Sequence, residues 1–285
     1  MAFFNDYKAP ILTVIPEPAP GPYNINFNHP FPSKLETDKI RLVPFLPSVH
    51  SKAFYATYSQ HPELGTYLPV PWTSYPAMLT SFEPFFRANP QNLPLAIIDK
   101  TKLPPLQSES EPESSESEDH RISANLDRCL AGMIGFVNSD PLFLSIEIGP
   151  VIILPNWHRT FVSSHAIGLL MGYALNLPEE GGLGLRRVQW TCYPDNAPSL
   201  KTAARMGFKV EGTKRWFWVL PEGKEGNDVG ERRGAGKGVD RREGKPVDGK
   251  RGDEMGADNM CHAVCWDDWE GGVKDLVQGQ IDREA

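Results

Sequence analysis

The amino-acid sequence predicts a fold of the α/β class, of the α+β type, in one domain that covers residues 34–285. Three observations support this prediction. Short segments with apolar residues in alternation or in unbroken runs indicate β-strands, and segments with apolar residues three or four positions apart indicate helices. Two polar stretches interrupt this pattern without dividing it. The remaining core of about 190 residues has the usual size of a single domain.

The first half of the chain begins with a strand and two helices. Apolar and polar side chains alternate over residues 33–45, and this alternation predicts the first strand. A loop at 61–72 is expected to return over the sheet between the two helices. The helices are predicted over 48–60 and 75–88, and the next two strands over 92–100 and 129–140.

A broken strand opens the second half of the chain. The strand predicted over 143–155 is interrupted at Gly149–Pro150, because proline has no amide hydrogen to donate to a sheet. A helix, a strand, a helix, one bent strand or two short ones, a last strand and a short helix follow, over 161–176, 185–192, 198–206, 208–220, 260–269 and 273–277.

Composition excludes several classes of protein. The 285 residues carry a net charge of −7, which argues against nucleic acid as the main partner. No apolar run approaches the roughly twenty residues that span a bilayer, so no membrane partner is expected. The start of the chain lacks the basic and apolar regions of a signal peptide. Four scattered cysteines do not form a disulfide framework, and they predict a reducing, cytoplasmic location.

Three segments are expected to lie outside the packed core. Residues 1–33 form a Pro-rich, extended arm. An acidic, Ser-rich insertion at about 102–127 and a Gly- and charge-rich insertion at 222–258 have few apolar residues to bury, and both are predicted to be disordered. Cys261, His262 and Cys265 lack a fourth ligand and the spacing of a zinc knuckle, so no metal is expected.

The segment 193–212, "YPDNAPSLKTAARMGFKVEG", has strong helix boundaries. Asn196 is a residue that caps helix starts, and Pro198 fits a first helical turn, where its missing amide hydrogen is not needed. Gly207 is a typical left-handed stop just after a helix. A capped helix between two strands therefore accounts for these three residues, but it does not require Ser199.

The same segment resembles the second cofactor motif of the GNAT superfamily, the acetyl-CoA-dependent N-acetyltransferases. The likeness is greatest to the branch that contains the ribosomal-protein N-terminal acetyltransferases. It rests on Asn-x-x-Ser, Gly-Phe and Glu-Gly, which are here Asn196, Ser199, Gly207, Phe208, Glu211 and Gly212. The resemblance implies a mixed, mostly antiparallel sheet, flanked by helices. Such a sheet splays between its fourth and fifth strands to admit the pantetheine arm.

The family's first cofactor motif corresponds to the stretch "HRTFVS" at the start of the long helix. Free amide groups there bind a pyrophosphate, aided by the helix dipole. Phe161 stands where the family has its first glycine, and Ser163 where it has a second small residue. The expected acetyl-CoA site comprises Val151, Ile153, His158, Arg159, Thr160, Phe161, Val162, Ser163, Asn196 and Ser199.

Acyl transfer to an amine needs a base, an oxyanion donor and an acid. Glu147, the only carboxylate of the fourth strand, is either the base, directly or through water, or a strand-edge charge. A backbone amide near Val151 would bind the oxyanion. Ser199 and Tyr193 are the candidate acids. Trp216 and Trp218 alternate onto one face, and they either line the acceptor site or belong to the core.

The resemblance implies acetyl transfer from acetyl-CoA to a primary amine by direct attack on the thioester. The amine is a protein N-terminus or a small molecule, and the protein a monomer or homodimer. Some members of the branch carry a glutamate on the strand of Trp216 and Trp218. Residues 214–218 of this sequence contain no aspartate or glutamate. This absence weakens the expectation that the protein shares the ribosomal-protein specificity of that branch. The alternative is a non-catalytic CoA-binding or scaffold protein with a degraded phosphate loop.

Overall fold

The computed structural model describes residues 23–70, 72–105, 115–221, 224, 226, 239–240, 245–246 and 255–283. Most of the predicted Pro-rich arm and large parts of both predicted insertions lie outside these residues. None of the helices in the described part of the chain combines the length and the apolar character needed to cross a bilayer.

A nine-stranded sheet forms the centre of the fold, and a separate pair of short strands, β9 and β10, lies outside it. The strands are β1 (Leu35–Glu36), β2 (Ile40–Pro44), β3 (Leu93–Asp99), β4 (Leu130–Asp140), β5 (Ser145–Ile148), β6 (Ile152–Ile153), β7 (Arg187–Cys192), β8 (Lys209–Val219), β9 (Val239–Asp240), β10 (Lys245–Pro246) and β11 (Gly256–Cys265). The order in the sheet is β1-β2-β3-β4-β5-β7-β11-β8, and β6 pairs with β4.

The helices pack against this sheet. They are α1 (Pro47–Tyr58), α2 (Tyr75–Phe82), α3 (Ser115–Ala124), α4 (Leu126–Cys129), α5 (Val162–Leu175), α6 (Ala197–Arg205), α7 (Trp266–Asp268) and α8 (Lys274–Ile281). A π-helical turn, Glu83–Arg87, extends α2. The long helix α5 is buried along most of its length, and it contacts β2, β3, β4, β5 and β7. It therefore holds the two halves of the sheet together.

The sheet opens at one place, between β5 and β7. These strands run parallel, and their register ends at the pair Glu147 and Gln189. After Gly149–Pro150 the chain turns back to β4, where Ile152 pairs with Met133. Gly132 precedes Met133 in β4, and a Cβ atom on Gly132 would lie 2.1 Å from the carbonyl oxygen of Ile152. Glycine thus permits this close approach of β6 to β4. On its β5 side, β7 has no paired strand beyond Gln189 in the described part of the chain.

The predicted fold class is confirmed. The parallel pair of β5 and β7 makes the sheet mixed, all its other pairs in the described part are antiparallel, and it splays where the Gly-Pro break predicted. The segment predicted as one strand at 33–45 is two strands, because Thr37 accepts hydrogen bonds from the amides of Lys39 and Ile40 and closes a turn between β1 and β2.

The predicted disorder of residues 102–127 differs from the structure over 115–127, which contains α3 and the start of α4. Two contacts hold this region on the core. Ile122 is 3% exposed. The guanidinium group of Arg41, on β2, lies 3.0 Å from carboxylate oxygens of both Glu118 and Asp119. A sequence with few apolar residues is therefore held here by a buried cation.

The other predicted extensions also differ in their described parts. In the arm, the ring of Phe27 stacks on Phe136 of β4, and the ring of Phe31 meets Tyr173 of α5 edge-on. The end of the arm is thus packed on the core. In the second insertion, β9 pairs with β10, and β11 begins at Gly256, inside the range predicted to be disordered.

Candidate active site

A cavity of about 420 Å³ lies at the opening between β5 and β7. Strand ends, the start of α6, the segment before α2 and the π-helical turn all contribute side chains to it. Six of the residues predicted for the site line this one cavity: Glu147, Val151, Tyr193, Asn196, Ser199 and Trp218. The structure therefore brings together residues that are far apart in the sequence.

Glu147 is the last residue of β5 that pairs with β7, and two side chains hold its carboxylate. The hydroxyl group of Thr191, on β7, donates a 2.5 Å hydrogen bond to Oε1. The side-chain amide of Asn138, on β4, donates a 3.0 Å hydrogen bond to Oε2. The carboxylate is thus oriented by the strands on both sides of it, and each oxygen keeps a further lone pair for a substrate or a water molecule.

Asn196 and Ser199 shape the start of α6. The side-chain oxygen of Asn196 accepts a hydrogen bond from the amide of Ser199 at 3.2 Å, so Asn196 is the N-cap that the sequence predicted. The hydroxyl oxygen of Ser199 accepts a 2.9 Å hydrogen bond from the indole nitrogen of Trp190. Because its oxygen is the acceptor in that bond, the Ser199 hydroxyl keeps its own hydrogen for another partner.

Tyr193 lines the cavity, and its hydroxyl group is unsatisfied. The residue is 7% exposed, and its buried hydroxyl has no hydrogen-bond partner among the described residues. Burial raises the pKa of Tyr193 to about 12. The phenol therefore keeps its proton at neutral pH. A buried polar group without a partner is rare, and it indicates an interaction with a molecule that binds here.

The backbone of β6 directs polar groups towards the opening. The amide of Leu154 donates to the carbonyl of Ala131 on β4, and hydrogen-bonding direction alternates along an antiparallel pair. Ile152 therefore faces β4, whereas the amides and carbonyls of Val151 and Ile153 point away from it. These groups lie where an extended arm could bind as an additional strand.

The loop after β6 has an unusual backbone. The ring nitrogen Nε2 of His158 lies 2.8 Å from the carbonyl oxygen of Ile153, so the ring closes the loop onto the strand. Arg159 has a positive φ of 63°, a conformation that is uncommon for a residue with a side chain. The hydroxyl of Thr160 donates to the carbonyl of Trp157 at 2.8 Å. His158, Arg159 and Thr160 thus shape the turn into α5.

The start of α5 offers free amides beside a cation. The amides of Ser163 and Ser164 donate to no acceptor in the described part of the chain. The guanidinium group of Arg205, at the end of α6, donates to both hydroxyls, at 3.3 Å to Ser163 and 3.0 Å to Ser164. Burial, and then the neighbouring charge of Arg283, lower the pKa of Arg205 from its ordinary value, which still leaves it a cation.

Phe161, the departure from the family motif, packs its ring between Lys39 and His165. The ring is partly buried against the core and lies edge-on to His165, with centroids 5.4 Å apart. The ammonium group of Lys39 lies 5.3 Å from the ring centroid. Val162, the next residue, is fully buried. The Phe161 ring therefore packs against the first turn of α5 and the core.

The prediction that Trp216 and Trp218 share one face is wrong. Trp218 pairs with Ala257 of β11, whereas Lys214 pairs with Asn259, so three residues of β8 lie opposite one residue of β11. This bulge gives Trp216 a positive φ of 54° and breaks the alternation. Trp218 lines the cavity, but Trp216 does not, and it is 53% exposed.

The structure adds residues that the sequence interpretation missed. Asn138 and Thr191 orient Glu147, and Arg205 meets the start of α5. No sequence motif identifies these three residues. The only sequence feature that could have drawn attention to one of them is the position of Arg205, a basic residue in the last turn of α6. The cysteines and histidine of β11 form no cluster of ligands with one another. In the described residues, one group with metal-ligand spacing is Cys265, Asp267 and Asp268, and Asp268 is paired with Lys209.

Comparisons with known proteins agree with this architecture. A GCN5-related N-acetyltransferase from Brucella melitensis is 21% identical, with a TM-score of 0.58 over 88% of this chain and 86% of that chain. A probable acetyltransferase of the GNAT family from Chromobacterium violaceum is 18% identical, with a TM-score of 0.56 over 85% of this chain and 96% of that chain. At these identities the likeness shows the fold.

A search of curated proteins found no match. The family described as "Acetyltransferase (GNAT) domain" matches residues 39–209, which is more than half of the chain. All the residues that line the cavity lie within this range, except Trp218, Val219 and Asn259. The chain therefore belongs to the GNAT acetyltransferase family.

Proposed function

We propose that the protein is an N-acetyltransferase that transfers the acetyl group of acetyl-CoA to a primary amine. The observation that carries this proposal is that Glu147 and Tyr193, whose hydroxyl has no partner among the described residues, line one cavity at the opening of the sheet. The reaction needs a proton acceptor for the amine and a proton donor for the leaving sulfur. These two side chains offer one of each.

The residues around the opening fit a CoA thioester. Acetyl-CoA, the co-substrate of GNAT acetyltransferases, supplies the activated acetyl group when bound. The free amides of Ser163 and Ser164 and the Arg205 cation suit a pyrophosphate, because amides and charge converge on a helix start there. The carbonyl of Val151 and the amide of Ile153 suit the amides of a pantetheine arm. Phe161 does not oppose this fit, because the amides rather than the side chain would bind the anion.

Glu147 is the proposed general base. The amine must be neutral to attack, and the carboxylate accepts its proton directly or through one water molecule. Thr191 and Asn138 keep both carboxylate oxygens in a defined position, which limits the motion that a base must lose before reaction. The attack forms the C–N bond, and the amide of Val151 donates to the carbonyl oxygen as negative charge develops there.

Tyr193 is the proposed general acid. Breaking the C–S bond leaves a thiolate, and the phenol donates its proton at that sulfur. The pKa of about 12 keeps the Tyr193 proton in place until this step. The Ser199 hydroxyl, which also interacts with the thiol of Cys192, is the second candidate proton donor in the cavity. We also propose a cytoplasmic location, which the four free cysteines support.

Titration calorimetry with acetyl-CoA, followed by thiol release with a panel of primary amines, tests the proposal. We expect saturable binding and amine-dependent release of free CoA thiol. A Tyr193→Phe variant should bind acetyl-CoA as the parent does, with kcat lowered about 10²-fold or more. Binding without thiol release from any amine would favour the alternative, a non-catalytic CoA-binding protein. Absence of binding would exclude both.

A further inference from the structure

The walls of the cavity around Glu147 are apolar. Side chains from the segment before α2, the π-helical turn, β4 and the end of β8 surround it. We call six of these residues the acceptor wall: Leu68, Val70, Phe85, Val137, Trp218 and Val219. Phe85 is 41% exposed and Val219 46% exposed, although both are large apolar residues. Exposed apolar groups that face one cavity indicate a ligand with an apolar body.

The same cavity carries a single charge. Glu147 is the only charged side chain among the described residues that line it, and no lysine, arginine or histidine belongs to that set. An amine with a carboxylate or phosphate would place its negative charge near Glu147 without a cation to pair with. A diamine would bury a second ammonium group against apolar walls. Either arrangement is costly, because an unpaired charge loses its hydration.

The segment before α2 closes the cavity from above. The hydroxyl of Tyr67 donates to the carbonyl of Asp195 at 3.2 Å, and its ring meets Tyr193 edge-on with centroids 6.0 Å apart. The ammonium group of Lys224, beyond β8, donates to the carbonyl of Gly65. Both contacts fasten the segment to the part of the sheet that contains β7, β11 and β8. A cavity of about 420 Å³ bounded by this segment suits a compact molecule better than a long peptide.

We propose that the acceptor is a small primary monoamine with an aromatic or branched apolar body and no acidic group. This inference rests on the proposed acetyl transfer, and it specifies the substrate class. Glu147 takes the ammonium end, and the acceptor wall takes the apolar body. The apolar contact then positions the nitrogen at the thioester, so the body of the amine contributes to kcat/KM.

Matched pairs of amines test the proposal with the full-length protein. Tryptamine and tryptophan differ only by a carboxylate, as do phenethylamine and phenylalanine. We expect kcat/KM for each decarboxylated amine to exceed that of its amino acid about 100-fold, because the site has no partner for the carboxylate. Putrescine and a tetrapeptide with an N-terminal alanine should also be poor acceptors.

A binding measurement separates substrate recognition from turnover. Calorimetric titration of tryptamine into the protein saturated with CoA should show binding that a Trp218→Ala variant weakens about 10-fold. The affinity of that variant for acetyl-CoA should be unchanged. Trp266→Ala removes a tryptophan that is 51% exposed and outside the cavity, and it should leave both affinities as in the parent.

The outcomes distinguish the two proposals. If tryptophan, putrescine or the peptide is acetylated faster than tryptamine, the substrate class is wrong while acetyl transfer stands. Equal tryptamine binding by the parent and Trp218→Ala would likewise overturn the role of the wall. If acetyl-CoA does not bind, or no amine releases thiol, the acetyl-transfer proposal fails, and the substrate class fails with it.

Discussion

The hydroxyl group of Thr191 donates a 2.5 Å hydrogen bond to Oε1 of Glu147, across the two strands that separate beside it. The bond joins β5 to β7 immediately after their last backbone pair, Glu147 with Gln189. A side-chain hydrogen bond therefore links the two strands just beyond the point where their backbone hydrogen bonds end. It orients the carboxylate towards the cavity without closing the opening.

A Glu147→Gln variant should therefore lose turnover but keep its co-substrate. Glutamine has nearly the same shape and can still accept from Thr191, but it cannot take a proton from the amine. We expect kcat to fall about 10²- to 10³-fold, and the acid limb of its pH profile to flatten. Calorimetry should show unchanged acetyl-CoA affinity. The exposed Glu179→Gln is the control. An unaltered pH profile would mean that Glu147 is only a structural charge.

Arg205→Ala should weaken acetyl-CoA binding more than it slows the reaction. The guanidinium group bridges the hydroxyl groups of Ser163 and Ser164 at the start of α5, and Arg205 is not among the residues that line the cavity. Loss of an interaction made equally in the ground and transition states raises KM and leaves kcat unchanged. We expect about a 10-fold increase in the acetyl-CoA Kd, and a weaker dependence of the Kd on salt.

Lys201→Ala provides the matched control for Arg205. Lys201 lies one turn earlier on α6 and is exposed. Its removal deletes the same charge from the same helix without touching α5, so the acetyl-CoA Kd should remain within about twofold of the parent value. Equal effects of both substitutions would assign the change to overall charge and not to a bound phosphate.

Local signals in the sequence predicted much of this fold. The Gly149–Pro150 break predicted the splay, because proline has no amide hydrogen to donate to a neighbouring strand. Asn196 and Gly207 predicted the ends of α6, and Gly207 has the left-handed φ of 85° that such a stop requires. In each case one residue type imposes a backbone property, so no knowledge of distant contacts was needed.

Features that depend on long-range contacts were not predictable in this way. Alternation placed Trp216 beside Trp218 because it assumes regular pairing, and the bulge is visible only in the register of β8 with β11. The contact of Arg205 with α5 joins two helices. Helix α3 is held on the core by Arg41, a buried cation on β2 that pairs with Glu118 and Asp119. These two acidic residues belong to the stretch whose composition predicted disorder.

Phe161→Gly should lower stability without improving cofactor binding. The ring is half-buried against His165 and under Lys39, and glycine would also loosen the first turn of α5. We expect the free energy of unfolding to fall by about 2 kcal/mol, less than for a fully buried phenylalanine. Phe161→Leu, which keeps most of the apolar volume, should restore part of the loss.

Thermal melts with and without acetyl-CoA measure both effects of Phe161→Gly. The stabilisation by acetyl-CoA should be close to that of the parent, because the proposed phosphate contacts are the amides of Ser163 and Ser164 and not the Phe161 ring. A glycine variant that melts like the parent alone, yet gains more stabilisation from acetyl-CoA, would show that the ring obstructs the phosphate site.

The free energy of unfolding should decrease as the pH is lowered, because His50 takes up a proton more readily in the unfolded chain than in the folded protein. Burial lowers the pKa of His50 to about 4, from an ordinary value of 6.5. Between these values the unfolded chain binds a proton that the folded protein does not. The stabilisation is thus complete above pH 6.5 and is lost as the pH falls towards 4. From about pH 7 to about pH 5 the loss should be about 2 kcal/mol.

Urea unfolding of the parent and His50→Asn at these two pH values tests this expectation. The asparagine oxygen can still accept from the amide of Leu46, as Nδ1 of His50 does at 2.9 Å. His29 and His165, whose pKa values burial also lowers, are present in both proteins and cancel in the difference. If both proteins lose the same free energy on acidification, His50 does not carry the effect.

Removing the acidic partners of Arg41 should destabilise the core. The Arg41 side chain is 6% exposed, and a Glu118→Gln, Asp119→Asn double variant would leave it with Glu36 at 4.0 Å. A buried charge that loses its partners is costly, although Asp119 is itself 60% exposed. We expect the free energy of unfolding to fall by about 2 kcal/mol, and Tm by about 4–8 °C.

Two deletions and one substitution make the role of Arg41 testable by calorimetric melts. Deleting residues 107–120 removes Glu118 and Asp119 and should lower Tm at least as far as the double variant does. Deleting residues 107–114 keeps both acids and removes no apolar side chain, so its Tm should match the parent. Asp127→Asn, an exposed acid after α3, should also melt like the parent. Equal losses for the two deletions would mean that chain length, and not the pairing of Arg41, supports this part of the fold.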